Sequence, residues 1–142
     1  MRFMIIRKAD QLTESGAMPS ERMLAAMGDY MKSMSDAGIL LAGEGLKPTS
    51  HSAKVKFTSG KPRVIDGPFS ETKELIAGYA LIRAASLEEA IDWAKRWPTI
   101  ETETDVELEI RPLFEEDDFG DEFTPELRKQ EADMRAKAAA SQ

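Results

Sequence analysis

The chain has 142 residues, of which 42% are hydrophobic and 32% are charged, a composition typical of one globular domain and not of a disordered chain. Its net charge of −7 argues against nucleic acid or an anionic membrane as the main partner, because both attract clusters of lysine and arginine. The sequence has no cysteine, which excludes disulfides, thiol nucleophiles and zinc–thiolate sites, and its single histidine argues against a transition-metal centre. We therefore expect neither a metal nor a cofactor.

The N-terminal segment has four consecutive apolar residues, Phe3 to Ile6, between charged ones. This run is too short for the apolar part of a signal peptide or for a membrane span, so we expect a soluble, cytoplasmic protein. It predicts instead a strand over residues 2–8. Because both faces of that strand are apolar, it needs cover on two sides.

Two helices are predicted between the strands. Ser20 is a typical N-cap for the first, which carries a methionine-rich apolar face and ends near Gly38. That face either packs on a sheet, which we favour, or forms an adaptable binding surface. Ser86 and Glu89 have the spacing of a capping box for the second helix, which Pro98 terminates.

Five further strands follow from apolar runs and from alternating apolar and polar residues; they are residues 39–46, 53–58, 63–65, 75–83 and 105–113. A hairpin connection joins 53–58 to 63–65, and a polar loop over 99–104 precedes the last strand. Gly43 and Gly45 interrupt the first of them. Glu44 lies between these glycines and, by the alternation of side chains, shares a face with Leu40, Ala42 and Leu46. Its carboxylate is either a functional group at the rim of a pocket or a residue that a bulge turns to solvent.

The order strand, helix, strand, hairpin, strand, helix, strand predicts an α+β fold, a ferredoxin-like antiparallel sheet with two helices on one face. We assign this domain to residues 1–114, and residues 115–142 to an acidic linker and a C-terminal tail helix that starts at Thr124-Pro125. Strands 2–8 and 75–83 are apolar on both faces, yet the helices can cover only one. We therefore predict a homodimer in which a second copy covers the other face and a cavity lies between the sheets.

One segment is specific enough to resemble a known family. Residues 66–79, Asp-Gly-Pro-Phe-Ser-Glu-Thr-Lys-Glu-Leu-Ile-Ala-Gly-Tyr, with Leu-Ala-Gly-Glu-Gly-Leu-Lys-Pro at 41–48, resemble the DGPF branch of the YCII-related family. The helix at 87–93, Glu-Ile-Arg-Pro at 109–112 and the tail at 118–127 fit as well. The likeness thus covers nearly the whole chain.

The resemblance implies a dimeric α+β barrel of ferredoxin-like protomers, but it does not imply one settled activity. Some members of the wider superfamily resemble enzymes that act on small cyclic or halogenated compounds through a His–Asp pair. For this chain that implies proton-transfer or elimination chemistry on a small molecule bound in the inter-sheet cavity. Other DGPF proteins are associated with extracytoplasmic-function sigma factors, which implies a non-catalytic regulatory module with a sigma factor as partner. A structural dimer with a filled interface is the third alternative.

Asp66 is the predicted centre of the site. Its carboxylate either caps the Asp-Gly-Pro turn through backbone N–H groups, which we favour, or opens into the cavity near Glu44. In the second case the two carboxylates would be the catalytic acid and base, with their pKa values pushed apart. His51, the only histidine, follows Pro48 on a polar turn that is distant in sequence from Asp66, and we do not expect it to be catalytic.

The predicted ligand-binding residues share the ability to stack on a ring or to hold an anion. They are Phe69 and Tyr79 for stacking, and Arg63, Thr72 and Lys73 for an anionic group. For each of them, ordinary packing or an exposed surface position is the alternative.

Overall fold

The computed structural model describes residues 1–100 and 105–141, so most of the loop predicted over 99–104 lies outside the described residues. The chain forms two compact units, Met1–Pro112 and Leu113–Gln142. The strands of the first unit are β1 (Arg2–Lys8), β2 (Leu40–Gly45), β3 (Ala53–Thr58), β4 (Lys61–Asp66), β5 (Ile76–Arg83) and β6 (Leu108–Pro112). The helices of the chain are α1 (Gln11–Glu14), α2 (Glu21–Asp36), α3 (Leu87–Ala94) and α4 (Pro125–Ala140), of which α4 belongs to the second unit.

Four strands of the first unit form one antiparallel sheet in the order β2-β5-β1-β6. This order, with α2 after β1 and α3 after β5, is that of the ferredoxin-like fold, and it confirms the predicted α+β class. Strands β3 and β4 pair with each other in a separate two-stranded sheet. In the sequence this hairpin lies between β2 and β5.

The core lies between the sheet and the two helices α2 and α3. Phe3 and Ile5 of β1 pair with Ile82 and Ala80 of β5, and all four side chains are buried. They form one cluster with Met34 of α2 and with residues of α3, so the methionine-rich face packs on the sheet as expected. The two helices are joined by a hydrogen bond of 3.1 Å from the Tyr30 hydroxyl to the Trp93 carbonyl. Burial, partly offset by the charge of Arg96, raises the pKa of Tyr30 to about 12.

The opposite face of the sheet is also apolar at its centre. Met4 lies opposite Leu81, and Ile6 lies opposite Tyr79, on the side away from the helix-facing core. Ile6 is 8% exposed, whereas the other three are only half-buried. The prediction that β1 and β5 are apolar on both faces is therefore confirmed.

Two local features differ from the predictions. A bulge between Leu40 and Ala42 turns Leu40 towards the helix-facing core, while Ala42 and Glu44 lie on the opposite face with Leu81 and Tyr79. Leu40 therefore does not share a face with Glu44, because simple alternation fails where a strand holds an extra residue. The second difference is α1, which Asp10 caps. The polar composition of residues 9–19 predicts a loop there, and this short helix lies within it.

The second unit confirms the predicted C-terminal helix. Thr124 caps α4 by accepting a hydrogen bond from the Leu127 N–H, with Pro125 in the first turn. Before α4, the acidic segment Glu116–Glu122 is a 3₁₀ helix, and the ring of Phe119 lies 5.5 Å from that of Phe123. A depression of about 370 Å³ along α4 is lined by that helix alone, so it lacks a second wall. Among the helices described in residues 1–100 and 105–141, none combines the length and apolar character that a bilayer crossing needs.

Candidate functional site

The segment of residues 66–69, which we call the DGPF segment, lies against the short 3₁₀ turn Thr49–His51 that follows β2. The Gly67 N–H donates to the Ser52 carbonyl (2.8 Å), and the Phe69 N–H donates to Thr49 Oγ1 (3.0 Å). A Cβ atom on residue 67 would lie 1.7 Å from the Thr49 carbonyl oxygen. Because that neighbour is backbone, glycine is the residue that allows this close approach.

Thr49 is held in turn by Glu14, at the end of α1. Its hydroxyl donates to Glu14 Oε2 at 2.6 Å, and its backbone N–H lies 3.2 Å from Glu14 Oε1. The hydroxyl therefore donates to a carboxylate and accepts from the Phe69 N–H at the same time. This arrangement ties α1, the 3₁₀ turn and the DGPF segment together through one side chain.

The start of α1 is anchored to the sheet by Arg7. This arginine is 6% exposed, and its Nη2 lies 2.7 Å from Asp10 Oδ2. The other carboxylate oxygen of Asp10 accepts a hydrogen bond from the Thr13 N–H at 2.8 Å. Burial raises the pKa of Asp10, but the hydrogen bonds and the charge of Arg7 outweigh it and hold this pKa below the usual 3.8. A continuous series of contacts thus runs from β1 to the DGPF segment.

A cleft of about 380 Å³ opens where the 3₁₀ turn, β3 and the segment before β5 meet. Its apolar lining residues are Leu46, Pro48, Phe69, Leu75 and Ile76. Its polar lining residues are Lys47, Thr49, His51, Ser52, Lys54 and Glu74. The Lys54 ammonium lies 4.1 Å from the centre of the Phe69 ring, so the cation and the aromatic face are in contact within the cleft.

Of the seven predicted site residues, Phe69 is the one found among the residues that line this cleft. Thr72 and Lys73 lie in the 3₁₀ turn Thr72–Glu74, whose last residue does line it. Glu44 and Tyr79 are direct cross-strand neighbours on the face of the sheet away from the helices. Arg63 is exposed on β4, where it pairs with Lys56 of β3.

Asp66 ends β4 as an exposed residue paired with Ala53, on the hairpin face opposite that of Lys54. The structure does not show the predicted cap. The Gly67 N–H is bonded to Ser52, residue 68 is a proline without an N–H, and the Phe69 N–H is bonded to Thr49. The donors that an aspartate normally caps are therefore already used or absent. Glu44 is likewise exposed. It follows the bulge between Leu40 and Ala42, and a bulge that turns its carboxylate to solvent is one of the two alternatives that the sequence leaves open for it.

Sequence reasoning missed Glu14, Thr49, His51 and Lys54. Glu14 and Thr49 are 35 residues apart, and no local pattern connects them. His51 is distant in sequence from Asp66, which argues against a shared site, yet the fold places it in the same cleft as Phe69. The signal that was available for Lys54 was its position at the base of a hairpin that leads directly into the DGPF segment.

Comparison with known proteins gives three findings. The family model of the YCII-related domain matches residues 1–114. An uncharacterized protein of Rhizobium meliloti (strain 1021) is 37% identical over 93 residues, which are 66% of this chain and 74% of the relative. A solved structure of 5-chloro-2-hydroxyhydroquinone dehydrochlorinase from Burkholderia phenoliruptrix AC1100, in complex with 2,5-dihydroxybenzoquinone, is similar with a TM-score of 0.44 and 12% identity; the match covers 80% of this chain and 94% of that one.

The dehydrochlorinase is too distant for its substrate or mechanism to be transferred to this chain. The family model spans the sheet, both packed helices and the DGPF segment, and it confirms the resemblance to the YCII-related family. The chain belongs to the YCII-related domain family.

Proposed function

We propose that this protein binds a small molecule in the cleft between the 3₁₀ turn Thr49–His51 and the DGPF segment. The observation that supports the proposal most directly is the composition of the cleft, an apolar lining with a few polar side chains at one place. Its volume of about 380 Å³ falls in the range of small-molecule sites, about 300–1,000 Å³. The series of contacts through Arg7, Asp10, Glu14 and Thr49 supports it further, because it holds one wall of the cleft in place.

Binding is tested by thermal shift with a library of small cyclic compounds, followed by calorimetric titration of those that raise Tm. For compounds that bind, Phe69→Ala is expected to weaken affinity about tenfold, since it removes a lining ring and the contact of Lys54 with it. Phe57→Ala is the matched control, because Phe57 is a 67% exposed phenylalanine of the same hairpin region that does not line the cleft. Equal effects of the two variants would place the binding elsewhere.

The second copy predicted from the sequence remains part of the proposal. Both packed helices lie on one side of the sheet, and Met4, Tyr79 and Leu81 are half-buried on the other. Burial of such a face by an identical copy would form a homodimer with the two sheets facing each other. Light scattering should give a molecular mass of two chains for the parent protein, and a mass of one chain for the Leu81→Lys variant. Leu24→Lys, at a 58% exposed position of α2, should leave the mass unchanged. A monomeric parent protein at micromolar concentration refutes the dimer.

Turnover by Asp66 and Glu44, and an association with a sigma factor, both stay predictions. Catalysis would require a bound ligand to lie within reach of the Asp66 carboxylate, at the edge of the DGPF segment. An Asp66→Asn variant that still binds the ligand and no longer converts it would support the catalytic role.

A further inference from the structure

Most of the neutral hydrogen-bond donors in the cleft already have partners within the protein. The hydroxyl of Ser52 donates to the Thr49 carbonyl at 2.8 Å, and the hydroxyl of Thr49 donates to Glu14. Backbone N–H groups of the lining residues are also used; those with a partner include Thr49, His51, Ser52, Phe69 and Glu74. A neutral donor for a ligand is therefore scarce on this wall of the cleft.

The groups that remain able to donate are Lys47, Lys54 and the ring of His51. All three residues are exposed, and neither lysine has a carboxylate oxygen within 4.0 Å in the part of the chain that the structure describes. Lys54 rests on the Phe69 ring. The hydrogen bond from Ser70, with a smaller contribution from the charge of Lys54, lowers the pKa of Glu71. The Glu71 carboxylate therefore interacts with the Lys54 ammonium group from a distance beyond 4.0 Å.

The carboxylate that lines the cleft is that of Glu74, which leaves two lysines against one acidic side chain. Counted over the lining side chains alone, the cleft carries one more positive than negative charge, in a chain whose net charge is −7; Glu71, outside the lining, also acts on Lys54. Charged donors make stronger hydrogen bonds to an anionic acceptor than neutral donors make, and they discriminate against cations by repulsion.

We propose that the cleft selects a small organic anion, a cyclic or aromatic carboxylate, which places its charged group between Lys47 and Lys54 and its ring on Leu75 and Ile76. This inference rests on the proposed function, since it names the class of ligand for the same site. It assigns Lys54 to recognition of the charged group. The Glu74 carboxylate repels the anion and weakens its binding.

The test compares benzoate with its neutral and cationic analogues benzamide and benzylamine by calorimetric titration at low salt. Benzoate is expected to bind about fivefold more tightly than benzamide, the scale of one partly exposed charge pair, and benzylamine more weakly than either. Rising salt concentration should weaken the binding of benzoate and leave the affinity for benzamide unchanged, so the preference for benzoate should fall.

Three variants sharpen the test. Lys54→Gln should remove most of the preference, and Glu74→Gln should strengthen benzoate binding by removing a like charge. Lys61→Gln is the matched control, because Lys61 lies on the same hairpin face as Lys54, at the opposite end and away from the cleft. Circular dichroism of each variant verifies that the fold is retained.

The outcomes separate the two proposals. Equal binding of benzoate and benzamide, or a preference for benzylamine, overturns the selection of anions and leaves small-molecule binding intact. A preference for benzoate that Lys61→Gln abolishes as fully as Lys54→Gln overturns the assignment to this cleft. If none of the three probes binds at millimolar concentration and the library gives no shift in Tm, the proposed function fails as well.

Discussion

Replacing Thr49 with valine tests whether one hydroxyl holds the site together. Valine keeps the shape of the side chain but loses both hydrogen bonds of Oγ1, one to Glu14 at 2.6 Å and one from the Phe69 N–H at 3.0 Å. A hydrogen bond to a charged group contributes about 1.5–3 kcal/mol and a neutral one about 0.5–1.5 kcal/mol. Since Thr49, Glu14 and Phe69 are only half-buried, water can replace part of each bond. We therefore expect the free energy of unfolding to fall by about 2 kcal/mol.

The measurement is urea-induced unfolding, in which a change of midpoint at constant slope reports stability alone. Thr49→Ser is the control, because it keeps the hydroxyl and should cost less than about 1 kcal/mol. A cycle with Glu14→Gln should show coupling of about 1 kcal/mol between the two positions. If Thr49→Val is no more destabilising than Thr49→Ser, the hydroxyl does not anchor the DGPF segment and the reasoning fails.

Three further perturbations test other parts of the site. Gly67→Ala should lower the free energy of unfolding by more than about 2 kcal/mol, because its Cβ would meet the Thr49 carbonyl oxygen, whereas Gly28→Ala, in open space on α2, should raise it by about 0.5–1 kcal/mol in the same urea assay. The depressed pKa of Asp10 gives stability that is present above pH 3.8 and lost as the pH falls through the lower folded value; Asp10→Asn should therefore be less stable than the parent at neutral pH and converge with it in acid, and a constant difference would contradict this. Asp66→Asn should change the free energy of unfolding by less than about 0.5 kcal/mol, since no cap is formed; a loss above 1 kcal/mol would restore the capping interpretation.

The fold could be predicted because its determinants are local and periodic. The apolar run at Phe3 to Ile6 and the apolar strand ending at Arg83 have the composition of central strands, and the structure places them as β1 and β5. Ser20 and Ser86 accept hydrogen bonds at the starts of α2 and α3, as cap residues should. The bulge near Leu40 shows the limit of such reasoning, because one extra residue changes the face of every side chain on one side of it.

The site could be predicted only in part, because its contacts depend on which distant segments the fold brings together. Of the motif's residues that were predicted to form the site, Phe69 is one that lines the cleft. Which backbone donors of the DGPF segment are free depends on Thr49, twenty residues earlier in the chain, and on Glu14, earlier still. An aspartate before glycine usually caps its own turn, but here Thr49 and Ser52 use the N–H groups first, and Asp66 is left with an uncommitted carboxylate. Asp66 also lies outside the lining of the cleft, on the hairpin face opposite that of Lys54. With the cap absent, the turn gives this carboxylate no role, and the effect of Asp66→Asn on ligand binding tests whether it has one there.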